Sequence, residues 1–295
     1  MPANNQVKEP EEIKTAPLTQ PWRIFAIEAF LFCLTLGLGI AAAVQIGEVL
    51  KIQKIAIPQI SFWRFIISFL LVTLFIFLLI RFLKFKRGKG VIFKTLFTLA
   101  VFWGGLLLLE AFLFEPIPLI LISLLIFWWW KSPSILNQDV LIIFGIAGVG
   151  STLGLALQPL MVIALLIIFS IYDFIAVYKT KHMIKMAKEM IESKAILALV
   201  VPPDLLGFQE SLEEIRPGGK FLILGGGDIV FPLLFSASLI PTGITNSIIV
   251  AIFALIGLFA GFYFFVKQKV RQPIPALPPI AFFSIIGFLI TRLIQ

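Results

Sequence analysis

The sequence predicts an all-α, polytopic membrane protein of nine transmembrane helices, and three observations carry that expectation. The chain is 60% hydrophobic and only 14% charged, whereas soluble domains are about half apolar and about a quarter charged. Apolar runs of roughly 20 residues recur along nearly its whole length, each able to cross a hydrocarbon core of about 30 Å at about 1.5 Å per residue. Basic residues gather between alternate runs, as orientation in a bilayer requires.

The nine expected spans are 22–45, 59–82, 91–113, 116–130, 138–157, 159–178, 221–240, 244–266 and 275–294. Residues 1–20 are polar, carry prolines and lack apolar periodicity, so they read as a disordered head. The first span is too long for a signal-peptide core, although Ala41 to Ala43 resemble a cleavage site, and it reads as a retained helix. Cys33 within it is the single cysteine, so neither a disulfide framework nor a cysteine-rich metal site is expected. The second span runs down to Arg81 and a basic cluster, and the third returns from that cluster to the Glu115–Pro116 turn. The fourth is short and spans only with little tilt, its Trp128, Trp129 and Trp130 placed at headgroup level where indoles are favoured.

Gly145, Ala147, Gly148, Gly150 and Gly154 make the fifth span suited to close helix contact in lipid. Only Gln158 and Pro159 divide it from the sixth; the pair is counted as two spans, with one long kinked helix as the alternative. From Lys179 to Lys194, Met183, Met186 and Met190 recur at spacings of three and four, which predicts a surface helix on the membrane face. Beyond it come a β-prone stretch, Ile196 to Val201, stopped by Pro202 and Pro203, an acidic stretch, and Pro217, Gly218 and Gly219, together read as a mobile linker. The chain thus divides into a head (1–20), spans one to six (21–178), a flexible cytoplasmic loop (179–220) and spans seven to nine (221–295), all in one membrane domain. No internal repeat is evident, which disfavours an inverted-repeat transporter.

The net charge of +8 does not point to nucleic acid, because the basic residues lie between spans rather than along a soluble face. With the amino terminus cytoplasmic, 20 of the 24 Lys and Arg residues fall on that side, leaving Lys51, Lys54, Arg64 and Arg292 for the other. Nine spans then put the carboxyl terminus outside, in what is read as the cell membrane.

An ionised carboxylate at bilayer depth costs about 3 kcal/mol, so each acid inside a span asks for a reason. Glu48, Glu110, Glu115 and Asp139 fall near span ends within reach of water, and Glu28 lies one turn from Arg23, with which it pairs or snorkels. Asp173 and Asp228 differ because their depths agree: about 9 Å above the boundary at Lys179, and about 12 Å above Lys220 if the chain is helical there. Two spans joined by one loop thus present two carboxyls at one level. Such a pair shares a proton and can serve as base and acid together, which is what peptide hydrolysis needs. Gly225, Gly226 and Gly227 before Asp228 allow a bend, a close backbone approach or entry of water, at a cost of about 1 kcal/mol of helix stability per glycine; a plain kink is the alternative. His182, the single histidine, sits in the basic loop with a solvated role. No metal or other cofactor is expected.

Tyr172–Asp173, Gly225-Gly226-Gly227-Asp228 and Pro275-Ala276-Leu277 resemble the YD, GxGD and PAL motifs of the presenilin and signal peptide peptidase family of intramembrane aspartyl proteases. Their order and their spans match, and the predicted orientation is similar to presenilin; the short outer loops resemble those of the archaeal presenilin homologues. The resemblance implies a presenilin-like fold and catalytic roles for Asp173 and Asp228. It also implies an active-site or substrate-docking role for Pro275, Ala276 and Leu277, and places Tyr172 by the dyad, in the substrate cleft or in packing. The substrates it implies are transmembrane helices, which must unwind to be cut. The β-prone Phe221 to Leu224, with Leu222 and Ile223 central, is expected to pair with unwound substrate as a strand, together with Ile196 to Val200. An ion channel or transporter using the two aspartates is the alternative. A prepilin-type peptidase also looks like a membrane aspartyl enzyme with Gly-x-Gly-Asp, but does not share the Pro-Ala-Leu triplet. The sequence demands no partner subunit and leaves self-association open.

Overall fold

The computed structural model describes residues 20–57, 59–82, 86–179, 190–192, 195–216, 219–268 and 272–294. The polar head up to residue 19, His182, Met183, Met186, Pro217 and Gly218 lie outside them. The described elements are α1 (Pro21–Ile52), α2 (Phe62–Phe82), α3 (Lys86–Glu110), α4 (Ile117–Lys131), α5 (Ile135–Ala156), α6 (Pro159–Tyr178), β1 (Ala198–Val201), β2 (Leu222–Gly225), α7 (Gly226–Ser238), α8 (Ile244–Val266) and α9 (Leu277–Ile294). The protein is an all-α multi-pass membrane protein carrying one small antiparallel sheet. Among the described residues six helices, in α1, α3, α5, α6, α8 and α9, are long and apolar enough to cross a membrane, and three shorter apolar helices occupy 62–76, 117–131 and 226–242.

Helix ends follow local chemistry. α1 begins with proline in its first turn, where a missing N–H costs nothing. It runs beyond the expected residue 45 to Ile52 because Gln45, Glu48 and Lys51 are good helix formers that tolerate the headgroup region. It stops at Lys54, whose φ of 56° is left-handed. There Ile55 N–H donates to Leu50 C=O at 2.9 Å and Lys54 N–H to Lys51 C=O at 3.1 Å, a Schellman arrangement that satisfies two terminal carbonyls. α5 starts three residues before its expected beginning because Ser134 caps it: Asn137 N–H donates to Ser134 Oγ at 3.4 Å and Ser134 N–H to Asn137 Oδ1 at 2.9 Å. Gln158 is extended and Pro159 opens α6, so the two spans are separate helices.

The seventh span departs from expectation. Its first residues, 222–225, form a strand, and α7 begins only at Gly226. Ile223 is β-branched and suits a strand, its neighbours pair with β1, and the glycines that follow make helix on the N-terminal side of Gly226 costly. β1 and β2 pair antiparallel with Val200 opposite Ile223 and Val201 opposite Leu222. The residues around β1 are therefore not a mobile linker: Ala195, Ile196 and all of β1 are at most 3% exposed and join the main core. α9 likewise begins at Leu277 rather than Pro275.

The glycines of α5 divide their work between two neighbours. Gly148 meets the backbone of α3 at Gly104, while a side chain at Gly150 would stand 2.5 Å from Leu233 of α7, and one at Gly154 the same distance from Ala237. Leu233 is also the residue that Gly39 of α1 admits. Small residues on α1 and α5 thereby bring α7 into the centre of the bundle, held on both sides, and with it the residue at the start of that helix, Asp228.

Candidate active site

Asp173 and Asp228 are each 7% exposed although they are acids in apolar helices. Asp173 lies near the C-terminal end of α6, and Asp228 lies in the first turn of α7. The two helices pack together, and the carboxyls are close enough for their charges to interact. The depth expected for Asp228 assumed helix from Lys220, whereas residues 222–225 are strand, in which the chain rises about 3.3 Å per residue against about 1.5 Å for helix.

A backbone amide holds one of the acids. Asp173 Oδ2 accepts from Leu277 N–H at 3.3 Å, which joins the Pro-Ala-Leu segment to the first acid. Pro275 and Ala276 lead the chain into α9 just before that contact. Asp228's carboxylate lies within bonding reach of the Gly225 amide. Gly226 N–H donates to Leu197 C=O at 3.2 Å, and a Cβ on Gly226 would stand 3.0 Å from that same oxygen. Gly226 is thus the glycine that close backbone approach requires. Gly227 is exposed, with nothing nearer than Phe231 at 4.0 Å. Tyr172 is 58% exposed on α6, its ring turned outward beside the buried Asp173.

The direction of each backbone group in the sheet follows from two bonds. Gly226 to Leu197 is a bonded pair in the same register as Leu224 with Leu199 and Leu222 with Val201. Val200, one position out of phase, turns its N–H away from β2 and donates to Asp139 Oδ1 at 2.9 Å. By the alternation of antiparallel ladders, Ile223 on β2 directs its N–H and C=O away from β1, along the edge that runs on to Asp228. Ile196 to Val200 was expected to take part in binding substrate as a strand. That segment is instead paired internally with β2 on one side and covered by α5 on the other.

Two acids were misplaced by the sequence reading. Asp139, expected at a wetted span end, is 1% exposed. Glu28, expected to pair with Arg23 or snorkel, is 4% exposed and within charge range of Asp228, and its Oε2 has no hydrogen-bond partner among the described residues. A polar pair, Gln138–Asp139, inside an apolar helix was the available signal for the first; nothing local marked the second. Two surface grooves, of about 530 Å³ between α3 and α4 and about 470 Å³ between α1 and α5, are lined by neither Asp173 nor Asp228. Among the described residues no three His, Cys, Asp or Glu side chains gather as a metal site.

A profile of the family described as "Signal-peptide peptidase, presenilin aspartyl protease" matches residues 27–295. No curated protein matches the sequence. Among solved structures, the chain is similar to a presenilin family intramembrane aspartate protease in a C222 crystal form, at 21% identity and TM-score 0.62, with 93% of this chain and 99% of that one covered. It is also similar to a presenilin family intramembrane aspartate protease in a P2 form, at 22% identity and TM-score 0.57, covering 89% and 97%. At that identity the likeness is one of fold.

Proposed function

Since the chain belongs to the signal-peptide peptidase and presenilin family of aspartyl proteases, we propose that it is an endopeptidase that cuts transmembrane helices with Asp173 and Asp228 as its acid and base. The observation that carries this reading is the pair itself: two buried carboxyls from packed helices, within charge range, one of them fixed by the Leu277 amide. The ionised member takes a proton from water as its oxygen attacks the scissile carbonyl carbon. The protonated member hydrogen-bonds the developing oxyanion. When the tetrahedral intermediate collapses, the C–N bond breaks and the proton passes to the leaving nitrogen. The dyad titrates as a unit, so the rate follows a bell-shaped pH profile.

Substrate reaches the dyad unwound, because a helical peptide bond is shielded by its own hydrogen bonds. β2 supports a docking mode in which the substrate adds as a strand along the outward edge at Ile223, with Leu222 on the same strand and Tyr172, Pro275, Ala276 and Leu277 beside the site. We place the six long helices and the three shorter ones across the bilayer as nine spans, amino terminus cytoplasmic and carboxyl terminus outside, as in presenilin. The charge bias supports this orientation. The short-looped single chain suits the archaeal type of presenilin homologue, acting without an obligatory partner.

The test is cleavage of a transmembrane peptide by the detergent-purified protein beside Asp173→Asn and Asp228→Asn. Both variants abolish cleavage if the dyad carries the reaction, and persistent cleavage in either removes it. Ion flux through the parent with no proteolysis would assign the two acids to a conduction path instead.

A further inference from the structure

α5 carries two adjacent polar side chains that are almost wholly buried, Gln138 at 0% and Asp139 at 1% exposure. Both reach one feature, the edge of β1 that faces away from β2. Asp139 Oδ1 accepts from Val200 N–H at 2.9 Å, and Gln138 Nε2 donates to the carbonyl of Ile196. Ile196 and Val200 have the same parity, with Ala198 between them, so these are two anchor points on a single edge. The turn that bears the pair is itself locked to the segment beyond β1: Ile135 N–H donates to Glu210 C=O at 3.1 Å and Leu212 N–H to Pro133 C=O at 3.3 Å. The Ser134 cap fixes where α5 begins.

A two-stranded sheet has two open edges, and each is a template for another strand. Only one leads to the chemistry here, since β2 runs directly into Gly226, Gly227 and Asp228, whereas a strand added to β1 would lie one strand farther from the dyad. We propose that Gln138 and Asp139 are positioning residues: they close the outer edge of β1 and hold that strand in register, so that an unwound substrate adds only along β2. The inference rests on the protease reading given above and adds to it the residues that decide on which side, and in which register, substrate is taken. The selectivity comes from ordinary backbone hydrogen bonding. A buried N–H whose acceptor is removed is left unsatisfied, so β1 shifts to find another partner and moves β2, and the register it offers to substrate, with it.

The experiment compares Asp139→Asn, which keeps a carbonyl acceptor for Val200, with Asp139→Leu, which keeps the size and removes the acceptor. The full-length proteins are assayed on a transmembrane peptide, with kcat and KM separated and every cleaved bond identified by mass spectrometry. Asp139→Asn stays within about twofold of the parent, whereas Asp139→Leu loses about tenfold in kcat/KM, mainly through KM, and cuts at neighbouring bonds as well. Gln138→Met serves as a second, volume-conserving variant should Asp139→Leu not fold, and it too broadens the set of cleaved bonds. The proposal is overturned if the folded Leu or Met variants cut the parent's bond alone at the parent's rate, or if Asp139→Asn is as impaired as Asp139→Leu. A parent as inert as its own Asp228→Asn variant overturns the protease reading, and this inference with it.

Discussion

Leu277 acts on the site through its backbone, and the reason lies in the next two residues. A helix leaves its first four N–H groups without partners inside the helix. In α9 the second and third of those positions are Pro278 and Pro279, which have no N–H to offer. Leu277 therefore supplies the leading donor of that terminus, and Asp173 receives it. One carboxylate thus serves as helix cap and, in the proposed function, as a member of the dyad, and substitutions can separate the two roles. Asp173→Asn keeps an oxygen for the Leu277 amide, so it is expected to unfold at the parent's temperature while cutting nothing. Asp173→Ala loses both the acceptor and the reaction, and about 1 kcal/mol of stability goes with them, the usual worth of a cap. Thermal unfolding of the two proteins in one detergent checks this; equal destabilisation in both would mean that the cap contributes nothing.

At the scale of elements, the alternation of β2 turns one expectation into two different ones. Proline at either Leu222 or Ile223 removes an N–H, but the two amides point in opposite directions. Leu222 faces Val201 inside the ladder, so Leu222→Pro breaks the sheet and frees β1. Ile223 faces outward, so Ile223→Pro leaves the sheet paired and removes only the group offered to substrate. Cleavage is lost in both, yet hydrogen exchange in residues 198–201 rises only in Leu222→Pro; full activity of Ile223→Pro would rule out strand addition at that edge. That two acids should be buried on neighbouring helices was legible in the sequence, because charge deep in an apolar span is expensive and both lie a short way inside spans joined by one loop. The strand before the glycines was legible as β-prone but not as paired, since its partner lies some twenty residues away in a stretch punctuated by prolines. Asp139 was legible only as half of the polar pair Gln138–Asp139: the amide that explains its burial belongs to Val200, 61 positions along the chain, and nothing near a helix end tells whether it faces water or a strand.

For the molecule as a whole, helix length and charge placement have to agree on one topology. α1, at 32 residues, is about 48 Å long and exceeds a core of about 30 Å, so part of it lies beyond the hydrocarbon. α4, at 15 residues, reaches only about 22 Å and crosses if the bilayer thins or its tryptophans sit in the headgroups. The count of crossings depends on such short helices, and parity makes it measurable. Among the described residues, the helices with apolar spans between Lys54 and Arg216 are five, α2 to α6. If all five cross, the two positions are on opposite faces; if α4 alone fails to cross, they share one. The single cysteine, Cys33, is exposed on α1, so it is first replaced by serine, and Lys54→Cys and Arg216→Cys, both at exposed positions, are made in that background. In intact cells a membrane-impermeant maleimide should label the cysteine at position 54 and leave that at 216 untouched until the membrane is opened. Labelling of both from outside would break the odd count. Labelling of 216 alone would invert the orientation and carry the dyad, near the end of α6 and the start of α7, to the outer leaflet.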